Sequence, residues 1–338
     1  MAEKKVLSLE EFEKWTKTTF GKDSLINADE KEAYKDVIPV TPLSLKNAMG
    51  IGGYAIGKIH TIDGETSGGK STLSYDIIAN SQKKFGKQCL LIDKEDSYTK
   101  EYGSLMNIDN SKLTICNPHT LEDMYNLVIK ALESNIFGVI VVDSVTSFAP
   151  AARFEGSEQM GIESRVNSSL MRNINDMITK SDTALILIQQ IRQAIGGFGD
   201  PTRVSGGLAI PFYAHTRTRI TRSEIDRENE QNVMKFTIIK NKLAKAFKVG
   251  TVVYKWGVGF DAFSEYIELA LEFNLIKKDK ASYLPPETDL KITGKKAIIQ
   301  YLKDNPEYVK KVIEPLILNH LNSETTLRTE DTSENELN

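Results

Sequence analysis

From about residue 58 the chain alternates between two rhythms. Short, nearly continuous apolar runs occupy Lys58–Asp63, Gln88–Asp93, Gly138–Asp143 and Ala184–Gln190. The stretches between them, such as Ser71–Lys84 and Leu121–Ser134, have helical length and period. Apolar strands alternating with helices predict an α/β fold with a mostly parallel sheet flanked by helices on both faces. A ligand of such a sheet sits off the carboxyl ends of the strands. Those ends carry Asp63, Asp93, Asp143 and the pair Gln189-Gln190. After residue 212 the rhythm changes: Thr216–Thr221, Val233–Ile239 and Thr251–Trp256 alternate in period two without helices between them. They predict antiparallel strands added to the sheet.

The two ends of the chain differ from this core. Leu9, Phe12, Trp15 and Phe20 recur at near-helical spacing after Ser8, with Glu11 three residues on, so a short capped amphipathic helix is predicted over 8–20. Some 20 mostly polar residues follow as a linker, and the helix must pack outside its own segment, on the main domain or on another subunit. Residues 264–276 and 294–321 read as helices of a small C-terminal subdomain, with a break at Pro285-Pro286. Residues 322–338 hold five acids, one base and almost no apolar side chains, and read as a disordered acidic tail. The predicted organisation is 1–40, helix and linker; 41–262, core; 263–321, C-terminal α+β subdomain; 322–338, tail.

Composition narrows the class without choosing a function. The 338 residues are 40% hydrophobic and 26% charged, ordinary for a globular protein. No apolar run approaches the ~18 residues of a membrane span, and the N-terminus resembles no signal peptide. Cys89 and Cys116 lack metal-ligand spacing and sit in apolar runs as core filler, which points to a reducing cytoplasmic setting. The net charge of −3 gives no sign of nucleic-acid binding, yet it hides a basic stretch over 203–248. By itself that stretch reads as a solvated sheet face.

Candidate chemistry clusters at the predicted strand ends. Gly64-Glu65-Thr66-Ser67-Gly68-Gly69-Lys70-Ser71 fits G-x-x-x-x-G-K-[ST] in full, between a strand and a helix. Its glycines let backbone N–H groups curl around phosphate, and the helix N-terminus adds a positive dipole. Lys70 supplies charge to the β- and γ-phosphates, and the Ser71 hydroxyl can ligate Mg²⁺. Asp143, ending a second strand, is placed to hold the Mg²⁺ hydration shell, through water. Asp93, Glu95 and Asp96 end a third strand, and each is a candidate to activate water beside a γ-phosphate. Spacing does not choose among them. Gln189-Gln190 opens the glycine-rich segment 191–207, either as a γ-phosphate sensor or as a polar surface pair.

Taken together these residues resemble the bacterial RecA recombinase family, which includes phage-encoded members. The resemblance runs from about residue 9 to 321. It rests on Phe20–Ile26, Gly64–Ser71, Val141–Val145, Ile188–Arg192, Lys240–Ala244 and Leu302–Glu307. It implies a RecA-like P-loop ATPase core with an N-terminal oligomerisation helix. The implied activity is an ATP- and Mg-dependent filament on single-stranded DNA that pairs it with homologous double-stranded DNA and exchanges strands.

Residue by residue, the resemblance makes Glu95 the water-activating carboxylate and Gln190 the γ-phosphate sensor. Thr72 joins the nucleotide contacts, and Tyr102 stacks on adenine. Lys240 and Lys242 reach the ATP of a neighbouring subunit, at an interface that also includes Phe212 and Arg217. DNA contacts fall on a first loop at 155–161, with Met160, Arg165 and Arg172. Others fall on a second loop at 191–207, with Phe198, Gly206 and Gly207. The sequence departs from the family pattern at Pro211, Leu208 and Thr99, where Lys, Asn and an acidic residue are usual. A ring helicase of the same fold, or an ATP-gated DNA-binding protein without turnover, would share part of this pattern. The first should carry a larger N-terminal domain, and intact Lys70, Glu95 and Asp143 argue against the second.

Overall fold

The computed structural model describes residues 7–154, 161–193, 202–204, 207–226 and 230–320. It divides into two compact units, Met1–Lys35 and Asp36–Asn338. In the first, helix α1 (Leu9–Phe20) starts at the predicted cap. Glu11 N donates to Ser8 Oγ at 3.2 Å, and Ser8 N donates back to Glu11 Oε2 at 2.9 Å. Gly21, at φ 99°, ends the helix. Within it the Trp15 and Phe20 rings meet edge-on, their centroids 5.4 Å apart.

The second unit opens with β1 (Val37–Pro39), α2 (Leu43–Met49) and β2 (Gly53–Ala55), followed by β3 (Ile59–Gly64) and α3 (Lys70–Phe85). Next come β4 (Gln88–Asp93), α4 (Lys100–Leu105), β5 (Leu113–Cys116), α5 (Leu121–Ser134) and β6 (Phe137–Asp143). The chain continues through α6 (Ala151–Phe154), α7 (Ile162–Ile178), β7 (Ala184–Gln193), β8 (Thr202–Val204) and α8 (Ala209–Tyr213). It then forms β9 (Thr216–Asp226), β10 (Gln231–Asn241), β11 (Val249–Lys255) and β12 (Gly259–Phe260).

Among the described residues β1 and β2 pair antiparallel by themselves, and β3 to β12 make a ten-stranded sheet in the order β12-β11-β10-β9-β3-β7-β6-β4-β5, with β8 beside β7. The run from β5 to β9 is parallel, and β9 to β12 is antiparallel. Period two is a property of residues and not of direction, so the sequence did not reveal that β9 joins β3 in parallel. Two apolar layers follow from strand alternation. One face packs Ile62, Ile186 and Ile188 under α2 and α3; the other packs Ile59, Leu185 and Leu187 under α5, α7 and α8. Full burial of each such side chain contributes roughly 1.5–3 kcal/mol, and the sum holds the strand ends level.

Three sequence readings are corrected. The edge strand β5 went unseen because its four residues are half-buried or exposed and make no apolar run. The second loop is not wholly irregular: Ile191, Arg192 and Gln193 extend β7 and pair antiparallel with Val204, Arg203 and Thr202. The C-terminal helices are shorter than expected. Helix α9 (Ala262–Glu272) gives way to a three-stranded sheet of β13 (Lys277–Asp279), β14 (Ser282–Leu284) and β15 (Ile292–Thr293). Helix α10 (Lys295–Asp304) stops before Asn305-Pro306, because proline lacks an N–H and drives the preceding residue out of the helical region. Helical turns resume from Pro306 to His320 around Val309, Ile313 and Ile317. The acidic tail lies outside the described residues.

Asp76, buried on α3, accepts from Thr41 N at 2.9 Å, and burial pushes its pKa from 3.8 up to about 6. The folded state thus favours the protonated acid, so this group's penalty is absent below about pH 4 and complete above about pH 6. Asp76→Asn keeps an acceptor for Thr41. It should match the wild type near pH 4 and exceed it by about 3 kcal/mol at pH 8, a figure set by ~1.4 kcal/mol per pKa unit. Urea unfolding of both proteins at several pH values checks this.

Candidate functional site

The carboxyl ends of β3, β4, β6 and β7 open into a cleft of about 380 Å³. Residues 64–71 curl from the end of β3 into the start of α3. Gly69 sits at φ 95°, a backbone conformation that favours glycine, and a Cβ there would lie 2.1 Å from Met234 Cε, so the methionine tip would have to move. Ser67 also adopts a left-handed φ of 58°. The remaining loop positions, Glu65, Thr66 and Gly68, make the turn, where Gly68 N donates to Glu65 O at 3.2 Å.

Lys70 is buried and donates to the Glu65 carbonyl at 2.7 Å. Burial lowers its pKa, while Asp143, Glu95 and Glu65 pull the other way. Ser71 Oγ donates to Asp143 Oδ2 at 2.6 Å. Burial raises Asp143 to about 6; the Ser71 bond opposes the rise, and the nearby charges of Glu95 and Asp93 add to it.

The three carboxylate candidates at the end of β4 separate by environment. Asp93 is buried and accepts from Ser97 N at 2.8 Å and Tyr98 N at 2.9 Å, so it builds the turn. Asp96 is exposed at φ 51° and does not line the cleft, whereas Glu95 does. Glu95 Oε1 accepts from Gln190 Nε2 at 2.8 Å, Ser147 Oγ at 3.1 Å and Ser144 Oγ at 3.2 Å. Strand pairing explains the meeting, since Gln190 lies opposite Gly64 across β3 and β7, and Asp93 opposite Asp143 across β4 and β6.

On the other side of the cleft, Tyr102 OH lies 3.3 Å from Thr72 Oγ1 and hydrogen-bonds Tyr254 OH. Its ring meets Tyr75 edge-on at 5.7 Å. Five cleft residues were missed by sequence reasoning: Arg222, Asn232, Met234, Tyr254 and Trp256. They come from β9, β10 and the end of β11, which curl over the phosphate loop. Tyr254 and Trp256 stand two apart, so one strand face carrying two aromatics was the available signal. Asn232 is buried with its Oδ1 unpartnered among the described residues.

Other predicted residues lie away from this cleft. Lys240 Nζ caps α8, donating to Pro211 O at 2.7 Å and Phe212 O at 2.8 Å. Burial lowers it to about 8, helped by Lys242 and Arg217. Phe212 is exposed. Lys242 follows on the same segment, its N donating to His215 O at 2.8 Å. Arg217 turns inward and pairs with Asp63 of its own chain. Arg165 and Arg172 line a shallow groove along α7 with Ser164, Ser168, Ser169 and Asn173. Gly207, at φ 86°, lies against Ser164, so a Cβ there would meet Ser164 Oγ at 2.6 Å. The end of the second loop thus abuts the helix that follows the first. Met160, Phe198 and Gly206 lie outside the described residues.

A family model for the RecA N-terminal domain matches residues 7–261. The chain belongs to the RecA family. Similar RecA proteins include that of Bacteroides thetaiotaomicron, 33% identical over 311 residues, 90% of this chain and 93% of the relative. The Thermotoga petrophila protein is 34% identical over 317 residues, covering 90% and 89% of the two chains. The Enterococcus faecalis protein is 32% identical over 320 residues, covering 92% and 91%. A RecA-like core accounts for the mostly parallel sheet with its phosphate loop. Among the described residues no helix is long and apolar enough to cross a membrane.

The residues present fit a Mg²⁺–nucleotide pair. The loop opens onto the cleft, which Thr66, Ser67, Gly68, Gly69, Lys70 and Ser71 line. Ser71 and Asp143 offer adjacent hard oxygen donors, and the described residues hold no cluster of three or more metal-binding side chains. That is the donor set of an ion shared with phosphate and water. Gly69→Ala should weaken binding of a fluorescent ATP analogue by at least about tenfold through overlap with Met234 and backbone strain. Adding Met234→Ala should recover only part of the loss, because the φ strain stays.

Proposed function

We propose that this cleft is the ATP site of a recombinase whose nucleotide chemistry is gated by DNA and by neighbouring copies of the chain. Membership of the RecA family makes the protein a DNA-dependent ATPase of homologous recombination and repair. On this reading it works in the cytoplasm, assembles as a helical filament on single-stranded DNA and pairs it with homologous double-stranded DNA. The row of Leu9, Phe12, Trp15 and Phe20 on α1 serves subunit packing. The observation that carries the reading is the Gln190–Glu95 hydrogen bond beside the phosphate loop, because it ties the strand entering the second loop to the carboxylate best set to handle water.

Each side chain then has a chemical task. Lys70 and the loop amides hold the β- and γ-phosphates, and Ser71 with Asp143 would hold Mg²⁺, which supplies charge neutralisation at the phosphates. Glu95 orients the attacking water and accepts its proton. Gln190 exchanges Glu95 for a phosphate oxygen, so nucleotide state reaches the second loop. Tyr102 and its neighbours Tyr254 and Trp256 form the aromatic side of the base pocket. Lys240 and Lys242 act on a neighbour's nucleotide, where two ammonium groups stabilise the transferring phosphoryl charge as an arginine finger does. Arg165, Arg172 and the loop residues Met160, Phe198, Gly206 and Gly207 serve DNA.

Electron microscopy with single-stranded DNA and a non-hydrolysable ATP analogue tests the assembly. Helical filaments are expected, and rings or unassembled protein would overturn it. Lys70→Ala should abolish turnover. Glu95→Gln should bind ATP normally but hydrolyse it about 10²–10⁴-fold more slowly, the range for losing a general base. Wild-type turnover by Glu95→Gln in a steady-state assay would remove it from that role.

Lys240→Ala and Lys242→Ala should each lose DNA-stimulated hydrolysis although their own phosphate loops are intact. Mixing either with Glu95→Gln should restore measurable turnover at mixed interfaces. Absence of recovery in demonstrably mixed filaments would count against a site shared between subunits.

A further inference from the structure

Behind the phosphate loop lies a buried polar cluster that ATP chemistry leaves unused. Asp63 is the last strand residue before Gly64 and is fully buried. Across the sheet it lies opposite Gln189 of β7 on one side and Arg219 of β9 on the other. Directly opposite residues share a face, so these three side chains enter the same layer. Arg217 Nη2 donates to Asp63 Oδ2. Among the described residues, Asp63 Oδ1 and both amide atoms of the fully buried Gln189 have no partner. Unpaired polar atoms at such depth are costly, and an apolar layer would have been cheaper.

Connectivity gives the cluster a use. Gln189 precedes the Gln190 that holds Glu95, and β7 then enters the second loop. That loop returns through α8 to β9, which carries Arg217. Asp63 therefore stands between the strand that enters the loop and the strand that leaves it. Neighbouring strands lie about 4.8 Å apart, so a side chain at the paired position is within reach of a glutamine amide. We propose that Asp63 and Gln189 are positioning residues that couple the nucleotide site to both ends of the second loop. When Gln190 leaves Glu95 for a phosphate oxygen, the strand end turns. Gln189 Nε2 then donates to Asp63 Oδ1, and the Arg217 pairing shifts with β9. The inference rests on the ATP- and DNA-binding reading above and names its internal connection.

The test compares single-stranded DNA affinity with ATPγS and with ADP. Gln189→Leu, close to glutamine in size, should keep the wild-type affinity for a fluorescent ATP analogue. Its ATPγS-to-ADP ratio of DNA affinities should fall by about tenfold, within the range of allosteric couplings. Asp63→Ala removes the acceptor together with the charge, and should act in the same direction if Gln189→Leu fails to fold. A wild-type ratio in either folded variant overturns the proposal. So does a loss of nucleotide affinity that matches the loss of DNA affinity, since that is general damage. Hydrogen exchange on the unmodified protein gives an answer without variants. Amides of Ile210–Arg219 should gain protection with ATPγS relative to ADP, and no difference overturns the coupling. A wild-type ratio near one would instead sink the functional reading itself.

Discussion

One register governs this protein: Gly64 beside Gln190 and Asp93 beside Asp143 at the carboxyl edge of a parallel sheet. Because strand side chains alternate, a slip of one residue would send Gln190 to the buried opposite face and bring Gln189 to the cleft in its place. The apolar residues behind the edge prevent that slip. Ile59, Leu185 and Leu187 fill one layer while Ile62, Ile186 and Ile188 fill the other, so a shift would exchange two packed cores at once. Hydrophobic burial, which is non-directional, thereby sets polar atoms at hydrogen-bond distance.

Much of this arrangement was legible because local sequence and final structure agree. The phosphate loop reads directly, since its glycines, lysine and serine are needed by backbone geometry and charge within eight residues. The capped helix α1 also reads directly, closing a reciprocal bond between Ser8 and Glu11. Helix α5 was legible by length and period, but its cap at Thr120 and Asp123 was not. The rest of what stayed hidden depends on distant partners. Nothing near Asn232, Met234 or Trp256 announces that β10 and β11 fold over the loop, because that follows from sheet order. Nothing near Asp93 says that two backbone amides will occupy it and leave Glu95 facing the cleft. Arg217, expected at a subunit boundary, found an acid within its own chain that periodicity could not foretell.

Charge shows the same division of labour. The net value near neutrality describes no surface in particular. Lys240 gives up part of its basicity to burial while binding two carbonyls at the end of α8, which holds a cation at a fixed place beside exposed Phe212. Arg165 and Arg172 instead share a helix with serines and asparagine along an open groove. One setting suits a point charge acting on a single group, and the other suits a run of phosphates.

The central position of β3 also dictates when the molecule can be completed during synthesis. Its first residue, Ile59, pairs with Leu185, and His60 pairs with Thr216, partners 126 and 156 residues further along the chain. Strands so distant must wait for the intervening polypeptide, and such non-local pairings form slowly. A nascent chain that has passed the phosphate loop already contains its glycines and lysine, but not the strands that flank it or the segment that covers it. At roughly 5–20 residues per second, many seconds separate translation of Lys70 from that of Trp256. Until β7 and β9 emerge, the ribosome carries β3 with two open edges, which is a natural point of engagement for chaperones.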